Sequence, residues 1–313
     1  MAAFQKAVVK YWMKAFSRID HDLGPWEGYA EKRLALTPEE KTEALLKIAC
    51  SRYEESKKYK TEQIFKTDFN SALENKDLLE IGSNHGGATY YFYERYKPRT
   101  ITGIDTTEMQ ATISALFFKK MGATLNYYFQ KAFAEDLPFS SDSFDAIISY
   151  DVFEHVADIQ KTLFETFRVL RPGGRAFIAF PSYYHPTQHH LSTVTLSPCI
   201  HWFYSPEILM EVYFDILDEH PEYKRKVGEC RRKLKPWEKL NIINGTTFKQ
   251  FRGYLKQQPW KKTTHIPLPL GVNSHFLTKY PILKPLSYVF WFGTKLPILS
   301  EVCNHRIVYV LEK

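Results

Sequence analysis

A doubly wound α/β fold on a mostly parallel sheet is predicted for the centre of this chain by three observations. Between residues 77 and 181, short apolar runs alternate with segments of helical period, the pattern of strands joined by right-handed crossovers. The first apolar run, Leu78, Leu79 and Ile81, ends in the glycine turn Gly82-Ser83-Asn84-His85-Gly86-Gly87 before a helical segment, which reads as strand, turn and helix start. Asp105 closes the second run and Tyr150 the fourth, so both fall with Gly82 at the carboxyl edge, where such sheets bind ligands.

The expected strands are 78–82, 100–104, 125–130, 145–150 and 175–181, with helices over 87–96, 108–121 and 158–170. Ahead of them, residues 1–22 space Lys6, Lys10, Lys14 and Arg18 by four, and Phe4, Val8, Trp12 and Phe16 by four between them. The two series are offset by about 200° on a helix, so one face is greasy and the other cationic. This helix is expected to pack its greasy face inward as a lid, with a membrane interface as the rival use. Thr37-Pro38-Glu39-Glu40 starts a further helical stretch over 38–68, with a cap, a proline at the first position and acids in the first turn. Residues 1–70 are therefore an expected N-terminal helical cap, and 71–313 the main domain. After Pro181 the alternation stops, and about 183–300 reads as an insertion covering an acceptor, with one helix near 205–217 before a closing strand over 305–311.

The chain has 313 residues, 44% of them hydrophobic, enough for a large core. Its four cysteines stand far apart with no CxxC pair, which points to neither a disulfide framework nor a zinc site and suggests a reducing, cytoplasmic setting. The apolar stretch 285–294 is too short to span a bilayer. Net charge is +7, yet thirteen Lys or Arg against two Glu crowd residues 224–262, leaving the remainder at −4. Such a segment suits anionic lipid, phosphate or nucleic acid, or simply forms a solvated helical surface.

The glycine turn constrains the ligand. Gly82 has no Cβ, so a ligand can lie on the main chain, and Gly86 and Gly87 allow the reversal that aims helix N–H groups at it. A dinucleotide fingerprint fails at Asn84, where its central glycine belongs. Glu80 would repel a pyrophosphate but suits a ligand carrying an ammonium and a sulfonium.

Glu80-x-Gly82-x-x-x-Gly86 is followed in order by Thr102-Gly103-Ile104-Asp105, by Ala134-Glu135-Asp136-Leu137-Pro138-Phe139 with Ser143-Phe144-Asp145, and by Arg168-Val169-Leu170-Arg171-Pro172-Gly173-Gly174. These blocks resemble the class I S-adenosylmethionine-dependent methyltransferases of the type 11 group, over residues 77–182. The resemblance implies a Rossmann-like sheet of seven strands and S-adenosyl-L-methionine as cofactor. It places Glu80, Gly82, Ser83, Asn84 and Gly86 in the first motif, Asp105 at the ribose with Thr106 also at the cofactor, Ala134 and Glu135 beside the adenine, and Tyr150 at the fourth strand end. Where the family often carries an adenine-binding Asp, this chain has Phe133.

No Asn/Asp-Pro-Pro-aromatic motif follows the fourth strand, which counts against nucleobase amino methylation. Asp151-x-x-Glu154-His155 brings two carboxylates and an imidazole to one face if helical; it resembles a metal-associated set in quinone-pathway O-methyltransferases, though a structural role without metal is the stronger reading. His185, His189, His190 and His201 crowd the next loop, where one imidazole can serve as general base. The candidates for that base are His155, His189 and His190. The expected function is O-methylation of a small or lipid-linked acceptor, by a cytoplasmic protein whose peripheral contact with anionic membrane is an extension. The alternatives are RNA methylation through residues 224–262 and a non-catalytic cofactor-binding scaffold.

Overall fold

The computed structural model describes residues 2–17, 37–124, 126–191, 194–219, 244–270, 284–296 and 299–313. The chain divides into two units: residues 38–181 with 248–313, and residues 1–37 with 182–247.

The larger unit carries the sheet. Its elements are α2 (Pro38–Tyr59), α3 (Phe69–Leu73), β1 (Asp77–Ile81), α4 (Gly87–Tyr96), β2 (Thr100–Asp105), α5 (Glu108–Lys120), β3 (Asn126–Lys131), β4 (Phe144–Tyr150), α6 (Ile159–Val169), β5 (Leu170–Phe180), α9 (Phe248–Leu255), β6 (Lys262–His265), α10 (Lys284–Gly293), α11 (Ser300–Cys303) and β7 (Ile307–Glu312). The smaller unit holds α1 (Ala2–Ala15), α7 (Ile200–Phe203) and α8 (Pro206–Asp218). The seven strands run in the order β3-β2-β1-β4-β5-β7-β6. The first five are parallel, and β7 lies antiparallel to β5 and β6.

Alternation along the strands feeds two apolar layers. Leu79, Ile81, Ile104, Ile147, Ile178 and Phe180 point to the side covered by Leu163 and Val169 of α6 and by Phe251 and Leu255 of α9. Leu78, Ile101, Ala146, Ile148, Phe177 and Ala179 point to the other, where α2, α4 and α5 supply Ala49, Tyr53, Tyr90, Phe117 and Phe118. At the amino end of the sheet Asp77 accepts from Arg99 Nε at 2.9 Å and from Arg171 Nη1 at 2.8 Å. These guanidiniums hold the Asp77 carboxyl well below the usual range, against the opposing effect of burial. Arg171, read above as part of a family block, thus pins strands together.

The expected strands and helices of residues 77–181 all form. Helix over 38–68 is interrupted, however, because Lys60 and Lys66 take positive φ and bracket a short 3₁₀ turn over Thr61–Phe65. Residues 38–70, expected in one cap with the chain start, contribute Ala49, Tyr53, Phe65 and Phe69 to the sheet's own core. The edge strand β6 was not foreseen, since Lys262-Thr263-Thr264-His265 lacks an apolar alternation and takes its place by pairing with β7.

In the smaller unit α1 is rotated from expectation, and of the greasy series Trp12 packs against that unit's core while the others are exposed. Phe4, Val8 and Phe16 are 74%, 37% and 45% exposed, while Val9 and Met13 are buried. Val9 and Met13 join Leu209, Val212, Tyr213 and Ile216 of α8 in one cluster. Lys6 pairs with Glu211, and Lys10 with Glu219 at 2.7 Å. The expected cationic face therefore meets Glu211 of α8 and Glu219 at its end, which sets the helix rotation. Arg18 and the rest of the expected helix beyond Ser17 lie outside the described residues, as do Arg231, Arg232 and Lys233 of the basic segment. Among the described residues no helix is long and apolar enough to cross a membrane.

Candidate active site

The glycine turn is stitched to the end of β2. The N–H groups of Gly82 and Ser83 both donate to Ile104 O at 2.9 Å. Asn84 N–H donates to Asp105 Oδ2 at 2.8 Å, and Thr106 N–H to Asp105 Oδ1 at 2.7 Å. Gly82, Asn84 and Gly86 have φ of 85°, 50° and 81°, a left-handed path that suits glycine and, next best, asparagine. Space also demands the glycines. A Cβ on Gly82 would stand 2.2 Å from Val152 Cγ2, and one on Gly86 2.9 Å from Ser114 Cα.

Buried polar atoms with no hydrogen-bond partner among the described residues include Glu80 Oε2 and Ser83 Oγ of this cradle, and Thr89 Oγ1 at the start of α4. Burial pushes the Glu80 carboxyl up to about 7; the Thr89 hydroxyl opposes this and the Asp105 charge adds to it. A buried polar group left unmatched is costly, so the turn is built for a ligand that brings donors or positive charge. S-adenosylmethionine is a ligand of that kind: Glu80 would suit its ammonium and sulfonium, and the remaining lone pairs of Asp105 would be open to ribose hydroxyls.

Ala134 is buried beside Phe133, which is 53% exposed, leaving a bare aromatic ring where the family often has a carboxylate. Glu135 Oε1 already accepts from Ala157 N–H at 2.6 Å. That carboxylate ties its loop to the segment after β4.

Past Tyr150 the chain does not continue as a helix. Asp151 takes φ 58° and its N–H donates to Ala179 O at 2.9 Å. Its carboxylate pairs with Arg306, whose guanidinium stands 4.6 Å from the centre of the Tyr150 ring. Asp151 and Glu154 therefore do not share a helical face. Arg306 is 8% exposed, and burial pulls its pKa down. Sequence reading missed it; the one signal was a lone Arg at the mouth of an apolar strand. Glu154 is buried, its Oε2 has no partner among the described residues, and burial pushes its carboxyl up to about 8. His155 Nε2 lies 3.7 Å from Glu154 Oε1, with its side chain 39% exposed.

The four loop histidines belong to the smaller unit. His189 has both ring nitrogens engaged: Nδ1 accepts from Leu191 N–H at 3.1 Å and Nε2 meets Ser197 O at 2.9 Å. That tautomer leaves no lone pair for an acceptor proton, so His189 is withdrawn as the base. His185 Nδ1 accepts from Thr187 and Gln188 N–H. His201 Nε2 meets Tyr183 O at 2.8 Å, and burial, with His189 beside it, takes its pKa down to about 4. These rings hold their loop together. His190 is half-buried with φ 56°.

A methyltransferase-domain family matches residues 79–178. A fatty-acid O-methyltransferase of Mycolicibacterium smegmatis is 30% identical over 127 residues, 41% of this chain and 45% of its own length. The phthiotriol/phenolphthiotriol dimycocerosates methyltransferase of Mycobacterium tuberculosis is 34% identical over 102 residues, covering 33% of this chain and 36% of its own. The chain thus spans less than half the length of these curated relatives. Among solved structures, phosphoethanolamine N-methyltransferase 2 of Haemonchus contortus in complex with S-adenosyl-L-methionine superposes with TM-score 0.51 at 13% identity, over 82% of this chain and 52% of that one. This last likeness is one of fold. A turn that leaves Glu80 and Ser83 unmatched beside Asp105, inside the span the family occupies, makes residues 79–178 a class I S-adenosylmethionine-dependent methyltransferase domain.

Proposed function

We propose that the chain methylates an oxygen of a small or lipid-linked acceptor, the reading carried by the unmatched Glu80 and Ser83 atoms in a glycine cradle closed by Asp105. When bound, the cofactor supplies a methyl group activated by its sulfonium. Glu80 and Ser83 hold its amino-acid end, Gly82 and Gly86 leave it room, and Asp105 fixes the ribose. His155, half-exposed past the end of β4, receives the proton of a hydroxyl acceptor.

The fatty-acid O-methyltransferase relative sharpens the choice of oxygen. A fatty acid offers a carboxylate already ionised at neutral pH, so no base is needed; a hydroxyl needs one, and a positioned base contributes about 10²–10⁴ in rate. The test measures formation of the demethylated cofactor with long-chain fatty acids and with hydroxylated lipid acceptors, for wild type and His155→Ala. A hydroxyl acceptor predicts a loss of about a hundredfold or more in His155→Ala, and a fatty acid a loss below about tenfold. Turnover of neither acceptor above the level of Gly82→Arg would sink the proposal.

A further inference from the structure

Among the described residues of the larger unit, α10 carries a run of exposed aromatic side chains. Tyr288, Val289, Trp291 and Phe292 are 74%, 64%, 49% and 60% exposed. Spacings of three and four put these side chains along one side of the helix. Lys295 Nζ sits 3.5 Å from the centre of the Trp291 ring, the pairing of cation and aromatic that suits a boundary between water and apolar medium.

The opposite side of α10 is firmly mounted. A Cβ on Gly293 would stand 2.4 Å from Cys303 Sγ, so the helix backbone lies directly on α11. From α11, Glu301 accepts hydrogen bonds from the N–H groups of Phe248 at 2.8 Å and Lys249 at 2.7 Å, the start of α9. Phe251 and Leu255 of α9 belong to the sheet core. An exposed apolar face held this way is a docking face.

Charge identifies what it docks on. No Asp or Glu occurs between Glu238 and Glu301, a stretch with nine Lys or Arg, of which Lys261 is paired with Glu312. A second copy meeting this face symmetrically would set cation against cation. An anionic bilayer meets both features: acidic headgroups for the lysines and arginines, and an interfacial layer for Tyr, Trp and Phe. At ten residues, α10 is about 15 Å long and lies on the surface without crossing. The other exposed stripe, on α1, lacks this charge pattern because its lysines are matched by Glu211 and Glu219.

We propose that α10 is a membrane-interface anchor, seating its aromatic face in the headgroup region of an anionic bilayer. The full chain should sediment with vesicles of mixed phosphatidylcholine and phosphatidylserine at low salt, and much less with phosphatidylcholine alone. Trp291→Ser/Phe292→Ser should lower the anionic partition about tenfold or more, and Lys256→Glu/Lys295→Glu should lower it and flatten its salt dependence. Phe4→Ser/Tyr11→Ser should leave it unchanged. Thermal melts of the variants identify any loss due to misfolding, which these exposed positions should not cause. A wild type that stays in the supernatant overturns the proposal, as does undiminished binding of Trp291→Ser/Phe292→Ser or a loss that follows Phe4 and Tyr11 instead. So does finding, without vesicles, a dimer that Trp291→Ser/Phe292→Ser turns into a monomer. Sedimentation needs no methyl transfer, so this result and the acceptor assignment stand or fall separately.

Discussion

Asn84 N–H donates to Asp105 Oδ2 across 2.8 Å, joining the glycine turn to the end of β2 through the carboxylate assigned to the cofactor ribose. Asp105 therefore shapes the turn, and in the function proposed above it also receives the ligand. Asp105→Ala deletes the hydrogen bonds from Asn84 N–H and from Thr106 together with the acceptor proposed for the ribose, and one hydrogen bond to a charged group is worth about 1.5–3 kcal/mol. Cofactor affinity should fall tenfold or more on the rule of about 1.4 kcal/mol per decade. Calorimetric titration giving a wild-type dissociation constant would remove Asp105 from the site.

The two glycines of the turn should respond differently to repair. Gly82→Ala drives a methyl into the Val152 side chain, whereas Gly86→Ala meets Ser114 Cα, which is backbone. Both also bear the left-handed cost of about 1–2 kcal/mol. Urea titrations should show Gly82→Ala partly recovered by Val152→Ala, and Gly86→Ala not recovered by Ser114→Gly. Equal recovery would mean that the packing argument is wrong.

The Asp151 and Arg306 pair predicts an asymmetry. Arg306 is almost fully buried, while the Asp151 side chain is 41% exposed. Asp151→Asn leaves a buried guanidinium without its counter-charge, and losing one partner of a buried pair typically costs about 3–5 kcal/mol. Asparagine tolerates the positive φ, so the backbone adds little. Arg306→Met leaves a carboxylate that water can reach, and should cost less. Denaturant midpoints in the reverse order would show that the pair is not held as described.

Glu154 makes stability depend on pH. Its folded carboxyl is raised from 4.5 to about 8, so the folded state binds the proton more tightly than the unfolded chain. The contribution is fully present below about pH 4.5 and is lost as pH rises through about 8. Glu154→Gln removes this slope: the melting temperature of the variant relative to wild type should be higher at pH 8 than at pH 5. A difference independent of pH would place an ionised carboxylate at this position in the folded protein. Glu80, raised to about 7, adds a slope of the same sign that both proteins share.

The sequence by itself determined the parallel half of the fold and the cofactor turn. Each rests on signals a few residues wide: apolar runs such as Leu78, Leu79 and Ile81, the glycines at 82 and 86, and an Asp closing β2. Such signals act through backbone sterics and period, which operate within a window. Tertiary structure decided what depends on partners far along the chain. The rotation of α1 follows from Glu211 and Glu219, about two hundred residues away. Arg306 reaches Asp151 across 155 residues, pairing a buried and unremarked guanidinium with a carboxylate that the sequence had grouped with Glu154 and His155. The edge strand β6 exists because β7 offers an open ladder, and His189 became a structural ring when Leu191 and Ser197 engaged both nitrogens. Burial and pairing are properties of the folded ensemble of neighbours, and no local pattern encodes which neighbour arrives.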